Sequence, residues 1–123
     1  MLKIKRLFKS FRYAFKGLYK VWHEEQNFQI QSIVAILVVL VGWYFRIKNF
    51  EWLILILTMS LPMLMEVLNS AVERVADILK PRIDTYVKEI KDIMAAAVML
   101  ASVFSVIIGL IIFIPYIILI LDK

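Results

Sequence analysis

Three long apolar stretches alternate with charged segments along the chain. The first is QNFQIQSIVAILVVLVGWYF, which ends before Arg46; the second runs from Trp52 to Met65, and the third, from Ile93 to Leu121, contains no charged residue. Because a helix needs roughly 20 apolar residues to cross a bilayer, these stretches predict three transmembrane helices. The short segment RIKNFE between the first two suits the tight turn of an antiparallel helical hairpin.

The second stretch is too short to cross a membrane by itself. Its helix must therefore continue through Glu66, Asn69 and Glu73, which carries polar groups to membrane depth or to the headgroup boundary. Carboxylates at such a depth are costly and usually face a protein interior or a water-filled cleft. We predict transmembrane helices over residues 28–46, 50–78 and 90–121.

Composition supports an all-α membrane protein with a single domain, residues 1–123. The chain is 63% hydrophobic and has a mean hydropathy of +0.84, which is more apolar surface than a soluble fold of 123 residues could bury. It contains no cysteine, so disulfides, thiolate catalysis and thiolate metal sites are excluded. The single histidine, His23, cannot form a zinc site alone.

The N-terminal arm, residues 1–24, combines aromatic and basic positions and shows no signal-type apolar core. A helix over it would have an aromatic face and a basic face, which is typical of a helix lying in the membrane interface. Anionic headgroups explain its charge, and in a second interpretation some basic residues also hold a phosphate ligand. The apolar face would contain Leu7, Phe8, Phe11, Phe15, Leu18 and Tyr19.

The distribution of lysine and arginine predicts the orientation. Twelve of the 15 lie in the N-terminal arm or in residues 74–92, whereas the other side has only Arg46, Lys48 and Lys123. Because positive residues stay in the cytoplasm, the N-terminus and residues 74–92 are expected inside and the C-terminus outside. The net charge of +5 is then explained by membrane flanks, which makes nucleic-acid binding less attractive.

Four polar residues share one face of the second helix. Glu66, Asn69, Glu73 and Asp77 stand at i, i+3, i+7 and i+11, and we call them the polar stripe. Glu25 at the start of the first span, and Lys91 with Asp92 at the start of the third, are expected at the same cytoplasmic level. Three helices would therefore bring acidic groups together.

This set of groups suits phosphoryl transfer to a lipid alcohol. Mg²⁺ prefers oxygen ligands and takes one or two carboxylates with substrate phosphates. A poorly hydrated carboxylate can act as general base toward a hydroxyl, and a lysine can offset phosphate charge. Glycine occurs only at positions 17, 42 and 109, so the chain has no glycine-rich phosphate loop and a nucleotide would need another cradle.

Three other interpretations remain open at this stage. The polar stripe could hydrogen-bond neighbouring helices or hold an oligomer together. It could line the pathway of a small ion or proton transport subunit, although the outer halves of the spans are almost purely apolar. Alternatively, the chain could be a helical scaffold without activity.

Several sequence segments resemble the small prokaryotic integral-membrane diacylglycerol kinase family, which includes undecaprenol kinases. These are EVLNSAVE from Glu66, Asp77, KDIMAAAV from Lys91, KGL at 16–18 and EQNF at 25–28. The resemblance extends from about Arg6 to the end of the third span. It implies an ATP- and Mg²⁺-dependent lipid kinase in the bacterial cytoplasmic membrane, assembled as a homotrimer with active sites between subunits at the cytosolic boundary.

The resemblance also implies roles for individual residues. Glu66 resembles the general base that takes the proton of the lipid hydroxyl, and Asn69 a catalytic-site amide beside it. Glu25 and Glu73 resemble the metal-binding carboxylates, which also contact ATP. The remaining expected ATP-binding residues are Arg6, Tyr13, Arg82, Asp84, Lys91 and Asp92.

Lipid contacts are expected at Glu66, Phe28, Gln31 and Ala95. Two of these positions depart from the best-known diacylglycerol kinase of the family, which has a glutamate where this chain has Gln31 and a serine where it has Ala95. The pairs NF after Glu25 and EW at 51–52 are more similar to the branch that phosphorylates undecaprenol. The sequence therefore modestly favours undecaprenol over diacylglycerol as acceptor.

Overall fold

Four α-helices make up nearly all of the chain. The computed structural model describes residues 3–79 and 84–123, with side chains in the second part from Thr85 onward. No strand occurs in these two ranges, which confirms the expected all-α class. The helices are α1 (Ile4–Glu24), α2 (Gln26–Phe45), α3 (Asn49–Leu79) and α4 (Asp84–Leu121).

Helices α2, α3 and α4 are each long and apolar enough to cross a membrane, as expected. Helix α3 covers 31 residues and includes the whole polar stripe, so the apolar run does continue through its carboxylates as one helix. Helix α4 begins six residues before the expected position, because its first turns contain Lys88 and Glu89, which are polar but good helix formers. The length of an apolar run predicts only the membrane-spanning part of a helix. It does not predict how far the helix continues through charged residues.

A single residue separates α1 from α2. Glu25 has extended backbone angles, φ −110° and ψ 105°, so it ends one helix and begins the next. Its N–H donates to the Val21 carbonyl at 2.9 Å, and its carbonyl accepts from the Gln29 N–H at 3.3 Å. The rings of Trp22 and Phe28 meet edge to face across the break, with centroids 6.5 Å apart. We call this segment, residues 21–29, the corner.

The hairpin between α2 and α3 closes on a left-handed residue, Arg46, with φ 52°. The Ile47 N–H donates to the Gly42 carbonyl and the Arg46 N–H to the Trp43 carbonyl, both at 3.2 Å, which is the Schellman pattern of helix termination. Gly42 is required by close approach, because a Cβ there would lie 2.9 Å from the Trp52 ring.

The hairpin end of the bundle is held by Glu51 in the first turn of α3. Its carboxylate accepts a hydrogen bond from the Lys48 N–H at 3.0 Å, as in half of a capping box, and another from the Tyr116 hydroxyl of α4. Below it, Ile47, Leu55 and Ile112 form a small buried apolar cluster. This end is therefore stabilised by the hydrogen bonds of Glu51 and by the apolar cluster.

Proline 62 leaves an unpaired carbonyl in the middle of α3, and α4 supplies the missing donor. Pro62 has no N–H, so the Thr58 carbonyl four residues earlier loses its helical partner. The Ser105 hydroxyl lies 2.8 Å from that oxygen and also 2.8 Å from the Ala101 carbonyl of its own helix. Because no water reaches this depth in a bilayer, the serine is the local means of satisfying the freed carbonyl.

We predict that Ser105→Ala destabilises the protein only while Pro62 is present. The substitution should cost about 0.5–2 kcal/mol of the free energy of unfolding, since it leaves the Thr58 carbonyl without a donor. In a Pro62→Ala background the helix regains its own N–H, so Ser105→Ala should then cost much less.

Unfolding by denaturing detergent would measure the four proteins of this cycle. Ser102→Ala is the matched control, because Ser102 occupies the same helix and has no such carbonyl to satisfy. Equal losses from Ser105→Ala in both backgrounds would contradict the prediction.

Candidate active site

The polar stripe begins deep in the protein and ends in the open. Glu66 is 1% exposed, Asn69 8% and the neighbouring Ser70 1%, whereas Glu73 is half-buried and Asp77 exposed. The residues follow the helical repeat, so the change in exposure runs along one face of α3. The stripe therefore connects a water-poor interior with the polar end of the bundle.

The Glu66 carboxylate has no hydrogen-bond partner within the described residues. Both of its oxygens are buried and unpaired, as is the Asn69 side-chain oxygen one turn later. The Asn69 amide nitrogen instead makes a long contact of 3.5 Å to Glu73 Oε1. Glu25 of the corner and Glu73 both interact electrostatically with Glu66. Three carboxylates from two helical segments are thus near one another, as the sequence predicts.

Burying an unpaired carboxylate is costly, so packing alone does not explain a glutamate at position 66. A buried charged group without a partner destabilises a fold by several kcal/mol unless it is neutralised. Such groups are characteristic of functional sites, where a base must meet its substrate without competing hydrogen bonds. The arrangement can bind the hydroxyl of an apolar molecule and accept its proton.

Lys91 lies at the same level on α4. Its ammonium forms an ion pair of 2.6 Å with the Asp77 carboxylate at the end of the polar stripe. The lysine side chain therefore points toward the end of the polar stripe on α3. The sequence predicts Lys91 at this level of the bundle. The next residue, Asp92, is exposed and makes no hydrogen bond or ion pair within the described part of the chain. One protomer accordingly brings Lys91 to the stripe and leaves Asp92 outside it.

Two of the expected lipid contacts, Gln31 and Ala95, line cavities beside α2 and α4, whereas Phe28 and Glu66 line neither cavity. Phe28 is buried at the corner, and Gln31 has a buried side-chain oxygen without a partner in the described residues. Gln31, Ile30 and Ser102 line two cavities of about 340 Å³ each. The shallower one also touches Ala95, and the deeper one reaches Phe113 past Pro62. The two cavities share Ile30, Gln31 and Ser102, and the one that reaches Phe113 is largely apolar.

Two further expected ATP-binding residues, Arg6 and Tyr13, form no hydrogen bond or ion pair with the stripe within the described residues. Arg6 and Tyr13 are exposed on α1, where the Tyr13 ring contacts the Lys16 ammonium 5.9 Å from its centroid. Arg82 lies outside the described residues, and Asp84 is described only as the first residue of α4.

The carboxylates of Glu25 and Glu73 fit a Mg²⁺ ion that is also bound by the phosphates of a nucleotide. Among the described residues, they do not form a metal site with protein ligands alone. Within residues 3–79 and 85–123, no three acidic or histidine side chains are arranged to hold a metal ion. Glu25 and Glu73 nevertheless both interact electrostatically with Glu66, and each is partly exposed. One or two carboxylates completed by phosphate oxygens is the usual protein share of a Mg²⁺ site in phosphoryl transfer.

Comparison with known proteins identifies the family. The family model described as prokaryotic diacylglycerol kinase matches residues 12–113. The chain belongs to this family. It is 34% identical over 113 residues to the undecaprenol kinase of Bacillus subtilis (strain 168), covering 92% of each chain. It is also 30% identical over 102 residues to the diacylglycerol kinase of Escherichia coli (strain K12), covering 83% of this chain and 84% of that one.

Membership of the prokaryotic diacylglycerol kinase family confirms the expected enzyme class, a lipid kinase that uses ATP. It also agrees with the three membrane-length helices.

Two contacts of Arg74 beside the stripe were not predicted from the sequence. Arg74 donates to the Ser70 carbonyl at 3.3 Å and to its hydroxyl at 2.5 Å, and it forms an ion pair with Glu24 of the corner. The i, i+4 spacing of Ser70 and Arg74 could have indicated their contact. Nothing local could have indicated that Arg74 meets Glu24, fifty residues earlier.

We predict that Glu66→Gln raises the free energy of unfolding, by about 1–2 kcal/mol, because it replaces an unpaired buried carboxylate with a neutral group of the same shape. Glu51→Gln is the matched control on the same helix. Its carboxylate accepts two hydrogen bonds, so its removal should lower stability. Detergent unfolding of both variants would test this, and a loss of stability in Glu66→Gln would contradict it.

Proposed function

We propose that this protein transfers the γ-phosphate of ATP to undecaprenol and gives undecaprenyl phosphate. The observation that supports the proposal is the Glu66 carboxylate, which is buried and has no hydrogen-bond partner within the described residues. It lies one helical turn after Pro62, which lines the larger apolar cavity. In this role Glu66 is the general base and Asn69 a neighbouring amide that orients the reacting groups.

The acceptor is chosen on two observations. The Bacillus subtilis relative named undecaprenol kinase matches 92% of the chain. In addition, the cavity that extends from Gln31 to Phe113 is largely apolar, which suits a long hydrocarbon chain. In this assignment Phe28, Gln31 and Ala95 contact the lipid near its reacting end.

The mechanism requires no covalent enzyme intermediate. Glu66 accepts the hydroxyl proton while the alcohol oxygen attacks the γ-phosphorus in line. The bond between the γ-phosphorus and the β–γ bridging oxygen breaks, and ADP leaves with the electron pair. Glu25 and Glu73 would hold Mg²⁺, which, when bound, neutralises charge on the β- and γ-phosphates. Lys91 moves from Asp77 toward the phosphates and adds a positive contact. Burial of Glu66 keeps water from competing with the alcohol.

The assembly and orientation belong to the same proposal. We infer a homotrimer whose sites are shared between subunits. Asp92, Arg6 and Tyr13 are exposed, so in this proposal they act at the stripe of a neighbouring subunit. The exposed apolar sides of the spans allow such contacts. In this proposal the N-terminus and the polar stripe lie in the cytoplasm and the C-terminus outside, which the distribution of lysine and arginine supports.

Phosphate transfer in mixed micelles would test the function directly. Purified protein, ATP and either undecaprenol or diacylglycerol would be incubated with Mg²⁺ or with a chelator. We expect Mg²⁺-dependent transfer to undecaprenol well above that to diacylglycerol, and a loss of about 10²–10⁴-fold in Glu66→Gln with the oligomer retained.

The outcomes separate the competing functions. A preference for diacylglycerol would overturn the acceptor assignment and retain the kinase mechanism. Transfer to neither lipid by an assembled wild type would overturn the lipid-kinase proposal and favour a transport or scaffold role. A Glu66→Gln variant with nearly full activity would remove the general-base assignment.

A second test concerns Lys91. We predict that Lys91→Met raises KM for ATP by about tenfold and leaves KM for the lipid unchanged, because the ammonium acts on phosphate charge alone. Steady-state kinetics with each substrate varied would measure both constants. Lys88→Met is the matched control, since Lys88 lies one turn earlier on α4 and is exposed. Equal increases in both KM values would contradict the assignment.

A further inference from the structure

Arg74 connects the corner to α3 through three acceptors. Its guanidinium donates to both the carbonyl and the hydroxyl oxygen of Ser70, which is 1% exposed. The other nitrogen donates to the Glu24 carboxylate, the last residue of α1. The two hydrogen bonds to Ser70 orient the guanidinium on α3. Its second nitrogen is then available to donate to Glu24 of the corner.

The two members of this ion pair are the chain neighbours of the two proposed metal carboxylates. Glu24 precedes Glu25, and Arg74 follows Glu73. Glu25 is the extended residue between α1 and α2, so its direction depends on how the corner is attached to α3. Within the corner, the Gln29 side chain donates to the Trp22 carbonyl at 2.6 Å, which makes the segment stiff. Because Glu25 follows Glu24 in the chain, the ion pair at Glu24 also restricts the position of Glu25 relative to α3.

We propose that Arg74 and Glu24 are positioning residues that set the separation of the Glu25 and Glu73 carboxylates for a divalent cation. This inference rests on the proposed function, because it takes those carboxylates as the metal ligands. Both side chains of the ion pair are about half exposed, so its contribution to overall stability is small. Its effect is on geometry: without it, α1 can move relative to α3 and the two carboxylates no longer face the same ion.

Mn²⁺ with a non-hydrolysable ATP analogue is the probe for the ligand side of the test. Binding to the purified full-length protein would be followed by electron paramagnetic resonance, which needs no turnover. Glu24→Gln and Arg74→Gln should each weaken Mn²⁺ binding about three- to tenfold. The double variant should be no weaker than either single, and Arg74→Lys should fall between, because an ammonium cannot contact Ser70 and Glu24 as a fork does. Lys88→Gln is the control for the loss of one exposed positive charge.

A distance measurement tests the same attachment without a metal. Since the chain has no cysteine, spin labels can be introduced by Lys20→Cys on α1 and Ile78→Cys on α3, both exposed, and diluted with unlabelled chains. We expect one narrow distance in wild type and a broader distribution in Glu24→Gln and Arg74→Gln.

Unchanged Mn²⁺ affinity with an unchanged distance in both variants would overturn the inference, and so would losses that simply add in the double variant. A broader distance with unchanged affinity would overturn the link from the corner to the metal. A wild type that binds no Mn²⁺ nucleotide would overturn the proposed function instead, and the distance measurement alone would then decide whether the ion pair holds the corner.

Discussion

A carboxylate that must stay buried without a partner is the constraint on which the rest of this protein depends. Glu66 lies on a membrane-length helix, with both oxygens buried and without a hydrogen-bond partner within the described residues. Bilayer and protein interior both oppose a charge at that position. The remaining parts of the fold must therefore supply enough stability to keep it there.

That stability comes largely from the opposite half of the bundle. Around Leu55 the hairpin end closes on a small apolar cluster, with Gly42 allowing the Trp52 ring to pack close. There the polar groups are satisfied: Glu51 is bonded to a backbone N–H and to Tyr116, and the Thr58 carbonyl is bonded by Ser105. The bundle thus has one end in which hydrogen bonds are complete and another in which they are left open for ligands.

At the open end, charge pairs add to the buried apolar contacts of Val21, Phe28, Ala76 and Val87. Lys91 binds Asp77, and Arg74 binds Glu24, so α4 and the corner are each attached to α3 by one ion pair. Partly exposed ion pairs are individually weak and can exchange partners when a phosphate group arrives. This suits a site that must admit both a nucleotide from water and an alcohol from the lipid.

The sequence by itself determined the class of protein, the number of membrane helices and the face of α3 that carries the chemistry. Apolar length and the helical repeat are local properties, so the spans and the order Glu66, Asn69, Glu73, Asp77 could be predicted from them. The family resemblance added the enzyme class. Only the tertiary structure decided which polar groups are paired: Glu66 is unpaired, Lys91 turns to Asp77, and Arg74 reaches Glu24. Pairing depends on distances between helices that are far apart in the chain, and no local pattern encodes those distances.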